Sequence, residues 1–511
     1  MRYQSMGVLA LVALAGAVAS ACGDDDDSPS GTSGTSGTSG TSGTSGSSGG
    51  SSAGKGGMGG GAGQPQGGAS SGGQGGGGAG GSGEGGTGGT GGASGAGGSD
   101  AGGAGGSGGE GGSGGEGGSG GEGGGSAKAT WVSSGADHTC AALDSGEARC
   151  WGGNVFGQLG DGWFANFGTY SPRPVVLEPG TENGTPLAGV ASVALNYMRS
   201  CALVTGSQVR CWGLNGFGQL GDGTEYDQTV PRPVVLANGA PLAGVNELAV
   251  GRYHSCALTS GGAALCWGWN VNGQLGDGTA VDHGDPRPVE LSPGVPLAGV
   301  RALASGDFHS CALMTDGGVL CWGANDDGQL GDGTKTARGV PRLVEASPGS
   351  ALTGVRQLAA GGNHTCAVTN DGGMLCWGSN TSGQLGDGTT NQRLRPVAVE
   401  LAPGLSLAGV RQATLGSPHS CAVLDDGTLR CWGHNEFGQL GDGTTTPRLR
   451  PVAVELAPGA PLPGVHSAAL GLFHTCALGD DKALRCWGRN VSGQLGDGTG
   501  QDRHRPVLVT F

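Results

Sequence analysis

The chain has 511 residues, 119 of them glycine, and 26 Lys plus Arg against 41 Asp plus Glu give a formal net charge of −15 at pH 7. The balance is acidic both before and after residue 127. The chain therefore lacks the basic surface that nucleic-acid-binding proteins carry, and we expect no nucleic-acid partner.

Residues 1–21 are predicted to be a secretory signal. A short basic start precedes an apolar run over Val8–Val18 and small residues before Cys22. The run from Met6 to Ala21 is 16 residues long, whereas a membrane-spanning helix needs about 20.

Cys22 occupies the position of the lipidated cysteine in a bacterial lipobox, although Ala19 stands where that pattern usually has Leu. It is also the only one of the 15 cysteines without a partner in the repeats described below. We therefore expect a lipid anchor at Cys22 and a secreted lipoprotein that faces the periplasm or the cell exterior. Ordinary cleavage and release is the alternative.

Residues 22–127 consist mainly of Gly, Ser, Thr and Ala, with scattered acids such as Asp24–Asp27. A chain of this composition cannot bury enough apolar surface to fold. The segment is predicted to be a disordered tether, and a Gly-rich coil of about 105 residues spans roughly 50 to 60 Å on average.

Residues 128–511 repeat one pattern seven times. The first cysteine of the pattern recurs after 61 residues once and after 55 residues five times, at Cys140, Cys201, Cys256, Cys311, Cys366, Cys421 and Cys476. A period this regular indicates a repeat architecture.

Each repeat predicts four short strands. Nine residues separate its two cysteines, with a turn such as Asp316-Gly317 at their centre, which is typical of a β-hairpin. Stretches such as Val300–Gly306 and Arg287–Leu291 predict the two flanking strands. Seven such units predict an all-β, seven-bladed β-propeller rather than a solenoid, whose ends would need polar capping repeats. The first repeat lacks the strand that precedes the later ones, so we expect residues 505–511 to complete the first blade.

The repeats also share the motif Trp-Gly-x-Asn-x-x-Gly-Gln-Leu-Gly, with Gly-x-x-His-Ser/Thr upstream. This combination resembles the regulator of chromosome condensation repeat family, over residues 128–511. The resemblance implies a seven-bladed propeller that serves as an interaction platform. Members include a eukaryotic guanine nucleotide exchange factor and a secreted bacterial β-lactamase inhibitor protein.

The paired cysteines could be buried thiols, zinc ligands or disulfides. Their spacing does not match the short spacing of zinc sites, and an exported chain meets an oxidising compartment. We expect seven disulfides, Cys140–Cys150, Cys201–Cys211, Cys256–Cys266, Cys311–Cys321, Cys366–Cys376, Cys421–Cys431 and Cys476–Cys486.

Six repeats carry a histidine two residues before the first cysteine, and the second repeat has Arg199 there. A ring of imidazoles could bind a metal or an anion, but the family resemblance implies that each histidine bonds the neighbouring blade. The Asp repeated in Gly-Gln-Leu-Gly-Asp-Gly suits a turn better than calcium, which needs several oxygen ligands. The repeated tryptophans are predicted to pack between blades. We expect no metal and no cofactor.

The two residues before each histidine vary, and equivalent turns of a propeller reach one face. Interface hot spots are enriched in aromatic residues and arginine. We expect partner contacts from Tyr197, Met198, Arg252, Tyr253, Phe308, Leu472 and Phe473. The alternative is that these side chains pack into the axial opening.

The first repeat exceeds the others by six residues and contains an aromatic segment. An exposed aromatic loop suggests a contact site, so we add Trp163, Phe164 and Phe167 to the expected partner-binding residues. The segment could instead plug the seam where the termini meet.

No pattern in the sequence indicates an enzyme. We predict a monomeric binding or scaffold propeller that holds a protein or cell-surface ligand through one face. The alternatives are guanine nucleotide exchange by family descent, inhibition of a secreted or periplasmic enzyme, and a purely structural spacer of the cell envelope.

Overall fold

The structure is a computed structural model that describes residues 127–180 and 184–511, without the side chains of Asn166 and Phe167. The predicted signal, the lipidation site Cys22 and nearly all of the tether lie outside the described residues. The rest forms seven four-stranded antiparallel sheets in which strands pair in chain order. The predicted all-β, seven-bladed propeller is confirmed.

Blades 1 to 3 follow one another along the chain. Their strands are β1 (Ala129–Ser134), β2 (His138–Leu143), β3 (Ala148–Asn154), β4 (Ala165–Pro174), β5 (Val190–Asn196), β6 (Arg199–Val204), β7 (Gln208–Gly213), β8 (Gln228–Pro233), β9 (Val245–Val250), β10 (His254–Thr259), β11 (Ala264–Gly268) and β12 (His283–Pro288).

Blades 4 to 7 have the same plan, and a small two-stranded hairpin precedes each of them. The strands are β13 (Glu290–Ser292), β14 (Val295–Pro296), β15 (Val300–Ser305), β16 (His309–Met314), β17 (Val319–Gly323), β18 (Arg338–Leu343), β19 (Glu345–Ser347), β20 (Ser350–Ala351), β21 (Val355–Ala360), β22 (His364–Thr369), β23 (Met374–Gly378), β24 (Arg393–Ala398), β25 (Glu400–Ala402), β26 (Leu405–Ser406), β27 (Val410–Leu415), β28 (His419–Leu424), β29 (Leu429–Gly433), β30 (Arg448–Ala453), β31 (Glu455–Ala457), β32 (Ala460–Pro461), β33 (Val465–Leu470), β34 (His474–Gly479), β35 (Leu484–Gly488) and β36 (Arg503–Leu508).

The second and third strands of each blade form the predicted hairpin. Cys311 of β16 lies directly opposite Cys321 of β17, and the two are joined as a disulfide with their Cα atoms 4.1 Å apart. All seven expected pairs are bonded in this way. The disulfides therefore lock each hairpin in its register.

The hydrophobic core lies between blades rather than within one. Trp377 of blade 5 is fully buried against Leu330 and Val344 of blade 4, and its indole N–H donates to the carbonyl of Gln329 at 2.9 Å. All seven repeat tryptophans are fully buried. The prediction that they pack between blades is confirmed.

The expectation that residues 505–511 complete the first blade is wrong. Strand β36 pairs with β35 and is the fourth strand of blade 7, and β4 is the fourth strand of blade 1. The ring closes instead through an ordinary junction, in which Thr139 and Trp151 both donate to the carbonyl of Gln494. Phe511 adds an edge-on contact with Trp151, at a ring-centroid distance of 5.9 Å.

The six extra residues of the first repeat lengthen its fourth strand. Strand β4 has 10 residues, against six in β8, and its extension brings Ala165 opposite Asn154. The excess therefore lengthens the fourth strand of blade 1, in which the Tyr170 carbonyl accepts a hydrogen bond at 3.0 Å from the Gly498 N–H of blade 7, across the seam.

The repeated Asp shapes the long loop between the third and fourth strands. In blade 3 the amide Nδ2 of Asn270 donates to Asp277 Oδ1 at 3.1 Å and to the carbonyls of Thr279 and Val281. The oxygens that a calcium ion would need already accept hydrogen bonds from this amide. The turn interpretation of the repeated Asp is thus confirmed.

Candidate functional site: the turn face

Two loops of each blade leave its sheet at the same end, because consecutive strands are antiparallel. They are the turn between the first and second strands and the long loop between the third and fourth strands. We call this end of the ring the turn face. All ten expected partner-binding residues belong to these loops or to the strand ends that flank them.

Buried histidines stand beneath the turn face and link the blades. His309 Nε2 lies 2.8 Å from Thr365 Oγ1, and the Thr365 hydroxyl donates to the carbonyl of Gln329. Nε2 must therefore donate to the hydroxyl, which requires a protonated Nε2, and burial lowers the pKa of His309 to about 3. The imidazole is a neutral link to the next blade.

Five further histidines make the same contact, as the family resemblance implies. The six pairs are His138–Ser200, His254–Ser310, His309–Thr365, His364–Ser420, His419–Thr475 and His474–Thr139. Within residues 127–180 and 184–511, no group of three or more His, Cys, Asp or Glu is placed to hold a metal.

Arg199 replaces the histidine at the junction of blades 2 and 3. It is fully buried and donates to Ser255 Oγ and to the carbonyls of Gln219, Gly251 and His254. No carboxylate pairs with it in the described part of the chain, and burial lowers its pKa to about 9.

An aromatic cluster occupies the turn face of blades 2 to 4. It consists of the five rings of Tyr197, Phe217, Tyr253, Trp269 and Phe308. Neighbouring centroids lie 5.4 to 6.1 Å apart, and four of the six ring pairs meet edge to face. Such pairs contribute about 0.5–1.5 kcal/mol each beyond the area they bury.

Arg252 lies over this cluster. Its guanidinium carbon is 4.0 Å from the centroid of the Tyr197 ring, and its Nη1 is 3.5 Å from Asp307 Oδ2. The Arg252 and Asp307 side chains are 21% and 16% exposed. The cluster therefore presents apolar rings and a compensated charge pair together, a combination that is common at interface hot spots.

A second cluster occupies the turn face of blades 6 and 7. Phe437 and Phe473 have centroids 5.1 Å apart, and the guanidinium of Arg489 lies 5.2 Å from the Phe437 centroid. His434 packs against both rings and accepts a hydrogen bond at Nδ1 from Gln439. Blade 5 separates the two clusters with small residues such as Gly362 and Ser379.

The structure corrects the expected role of one turn residue. Tyr253 is only 4% exposed and lies at the centre of the aromatic cluster, so its ring supports its neighbours and is not itself offered to a partner. Burial also raises the pKa of its hydroxyl to about 12.

The other expected residues are at least partly accessible where they are described. Tyr197, Met198, Arg252, Phe308, Leu472 and Phe473 are half-buried. Trp163 and Phe164 are 45% and 58% exposed. The side chain of Phe167 lies outside the described residues.

Sequence reasoning missed several members of the two clusters. Trp269, His434 and Arg489 follow the repeated Trp-Gly at one fixed offset, and Phe217 and Phe437 share another in the long loop. The residues at these two positions vary from repeat to repeat while the flanking motif stays constant, and this variation is the signal in the sequence that points to them. These positions lie far in sequence from the turns that they contact, so the turn residues alone do not indicate them.

Family models match several stretches of the chain. The RCC1-like domain model matches residues 288–511. Models of the regulator of chromosome condensation (RCC1) repeat match residues 132–158, 208–258, 245–274 and 261–313.

The chain is similar to known proteins of the same architecture. It is 32% identical to the ultraviolet-B receptor UVR8 of Arabidopsis thaliana over 386 residues, which cover 75% of this chain and 82% of UVR8. Among solved structures, human WBSCR16 has a TM-score of 0.56 at 26% identity and covers 71% of this chain and 93% of its own. Yeast RCC1 (Prp20), solved bound to Kap60, has a TM-score of 0.58 at 23% identity, and the match covers 73% of this chain and 84% of the yeast chain. This chain belongs to the regulator of chromosome condensation (RCC1) repeat family.

Proposed function

We propose that this chain is an extracytoplasmic binding propeller, lipid-anchored through Cys22, that holds a protein partner on its turn face. The aromatic cluster of blades 2 to 4 carries the proposal. Five aromatic rings and an arginine come together there, although the propeller fold does not need large side chains at these positions. The equivalent turn of blade 5 has Gly362 and Asn363 in the same frame.

The location rests on two supports. Seven disulfides fit an oxidising compartment outside the cytosol, and the sequence before Cys22 has the composition of a secretory signal. No helix within residues 127–180 and 184–511 is long and apolar enough to cross a membrane.

The binding face is tested by site-specific photo-cross-linking in the producing cells. A cross-linking residue at Phe308 should give one dominant protein adduct, and that adduct should disappear with Trp269→Ala at a temperature at which this variant is still fully folded. The control is Leu405, which is 57% exposed at the opposite end of the ring. An adduct of equal yield from both positions, or one that Trp269→Ala leaves intact, contradicts the proposal.

The anchor is tested by the intact mass of the protein purified from its own envelope, with and without reduction. We expect a chain that begins at an acylated Cys22, with fourteen further thiols that become reactive only after reduction. A Cys22→Ser variant should leave the membrane fraction. An unprocessed chain with free thiols contradicts both the anchor and the location.

Inhibition of a secreted or periplasmic enzyme is a special case of this proposal, and assay of the cross-linked partner would reveal it. The likeness to yeast RCC1 does not support guanine nucleotide exchange, because a structural match at 23% identity shows only a shared fold.

A further inference from the structure

The long loops of blades 1 to 3 expose apolar side chains at the outer edge of the turn face. Tyr226 of blade 2 and Val281 of blade 3 are 72% and 59% exposed, and Trp163 and Phe164 are exposed in blade 1. We call these four residues the apolar rim. The positions that correspond to Tyr226 and Val281 are polar in blades 4 to 6, at Thr336, Asn391 and Thr446.

Charge is divided unequally between the turn face and the rest of the ring. The turn-face loops lie between the first and second strands and between the third and fourth strands. They hold sixteen Asp plus Glu against only Arg252, Lys335 and Arg489. The other described residues of the propeller hold fifteen Asp plus Glu against twenty-one Lys plus Arg. The turn face is therefore the negative end of the ring, and its field attracts cations.

Blades 2 and 3 lack the arginine that compensates part of this charge elsewhere. In blade 4 the first residue of the fourth strand, Arg338, lies 2.8 Å from the repeated Asp332, and blades 5 to 7 make the same pair. Blade 2 has Gln228 at this position, and blade 3 has His283, which compensates Asp277 only when it is protonated. The compensating arginines are thus missing from two of the three blades that form the apolar rim.

Exposed apolar groups beside uncompensated carboxylates indicate the chemistry of an occupant. Arg252, the only Lys or Arg in the turn-face loops of blades 2 and 3, already pairs with Asp307. A neutral occupant would strip water from exposed carboxylates such as Glu225 and Asp282 without supplying a counter-charge. An anionic occupant would be repelled. Lysine and arginine fit both features, because their apolar stems cover apolar surface while their charged ends reach carboxylates.

We infer that the apolar rim docks a basic segment of the protein partner. The stems of its lysine or arginine side chains pack on Tyr226 and Val281, and their charged ends lie among the carboxylates of the long loops of blades 2 and 3. The inference rests on the proposed function and names the chemistry of the partner. Attraction of this kind mainly speeds association, and salt weakens it.

The test uses a library of linear peptides displayed on phage and selected on the oxidised full chain. The selected peptides should be rich in lysine and arginine next to apolar residues, and poor in aspartate and glutamate. Their affinity should fall about tenfold or more between low salt and 1 M NaCl, where charges are screened beyond about 3 Å.

A matched pair of charge reversals locates the docking surface. Glu225→Lys reverses an exposed charge beside the apolar rim, and Asp425→Lys makes the same change of net charge at an exposed site at the opposite end of the ring. Neither variant should change the melting temperature. Glu225→Lys should weaken the selected peptides about tenfold at low salt, because it places like charges together. Asp425→Lys should leave their affinity within about twofold.

A matched pair of valines probes the apolar part. Val281 of the apolar rim is 59% exposed, and Val295 at the opposite end of the ring is 49% exposed. Val281→Ser should weaken the peptides about three- to tenfold, because the apolar contact with the peptide is lost. Val295→Ser should leave their affinity within about twofold. This pair keeps the test decisive if Glu225→Lys fails to fold.

The outcomes separate the inference from the proposed function. If no peptide is selected, if the selected peptides are not basic, or if the two variants of each pair act alike, the inference is overturned. Peptides that are not basic but that Trp269→Ala weakens would leave the proposed function standing without the inference. Peptides that are insensitive to Trp269→Ala, Glu225→Lys and Val281→Ser overturn both.

Discussion

Blades 4 and 5 meet through a regular set of contacts, whereas blades 2 and 3 meet through a different one. At the first junction His309 bonds Thr365, and Trp377 donates to the carbonyl of Gln329. At the rim, Arg395 of blade 5 reaches Glu345 at 2.7 Å.

The junction of blades 2 and 3 replaces each of these contacts. Arg199 takes the acceptor that the tryptophan uses elsewhere, so the indole N–H of Trp267 has no partner in the described residues. Val235 and Asp285 stand where the other junction has Glu345 and Arg395. Arg199 itself bonds blade 3 at Ser255 Oγ and at the carbonyls of Gly251 and His254. At the turn face, the Tyr197 and Tyr253 rings add a contact at 5.5 Å.

Side chains of the turn face therefore also help to hold the irregular pair of blades together. Tyr197 and Tyr253, two rings of the cluster proposed to bind a partner, meet at the junction that has the irregular contacts. A loss of binding in that cluster must therefore be judged against a melting temperature, as the experiments above require.

Acid should reveal the largest difference between the two junction types. Burial lowers the pKa of His309 to about 3, against 6.5 unfolded, so the unfolded chain binds more protons between these values. Each histidine that is held neutral in this way lowers the free energy of unfolding as pH falls through this window. In urea unfolding experiments, the free energy of unfolding should fall steeply between pH 7 and pH 4. The six buried histidines cause this fall, and Arg199 does not contribute to it.

The matching variant is His309→Arg, which gives the regular junction the residue of the irregular one. It should cost about 1–3 kcal/mol, because it buries a charge without a carboxylate and takes the acceptor of Trp377. The free energy of unfolding of this variant should also fall less steeply with acid than that of the wild type, because one of the six buried histidines is gone. Equal stability, or an unchanged slope, would show that the two junctions are energetically equivalent.

The reverse exchange, Arg199→His, should raise stability by about 1–2 kcal/mol. It removes an uncompensated buried charge and frees the Gln219 carbonyl for Trp267. Thermal unfolding measures the gain, and Trp377→Phe and Trp267→Phe serve as controls. In the wild-type background, only Trp377→Phe should remove an indole hydrogen bond. In the Arg199→His background, Trp377→Phe and Trp267→Phe should each remove one.

The smallest effect is expected at the rim. Arg395→Met should cost about 0.5 kcal/mol at low salt, since the Arg395 and Glu345 side chains are 32% and 28% exposed. The cost should vanish in 1 M NaCl, where screening acts over a few ångströms. A cost that persists in salt would mean that the arginine acts by packing.

The sequence alone determined the blade, the number of blades and the disulfides. These follow from local order: a repeat of 55 residues, a turn of fixed length and a pair of cysteines placed opposite each other within one hairpin. The link from each histidine to the next blade was available only through the family resemblance, because its partner lies 56 or more residues away.

The tertiary structure was needed to show which blade the last strand joins and which rings pack into one cluster. Residues 503–508 could pair with either end of the ring, and the choice depended on a register that no local pattern records. Tyr253 looks exposed in its turn, yet Phe217 and Trp269 from distant loops bury it. Both outcomes depend on closure of the ring, which brings segments together that are far apart along the chain.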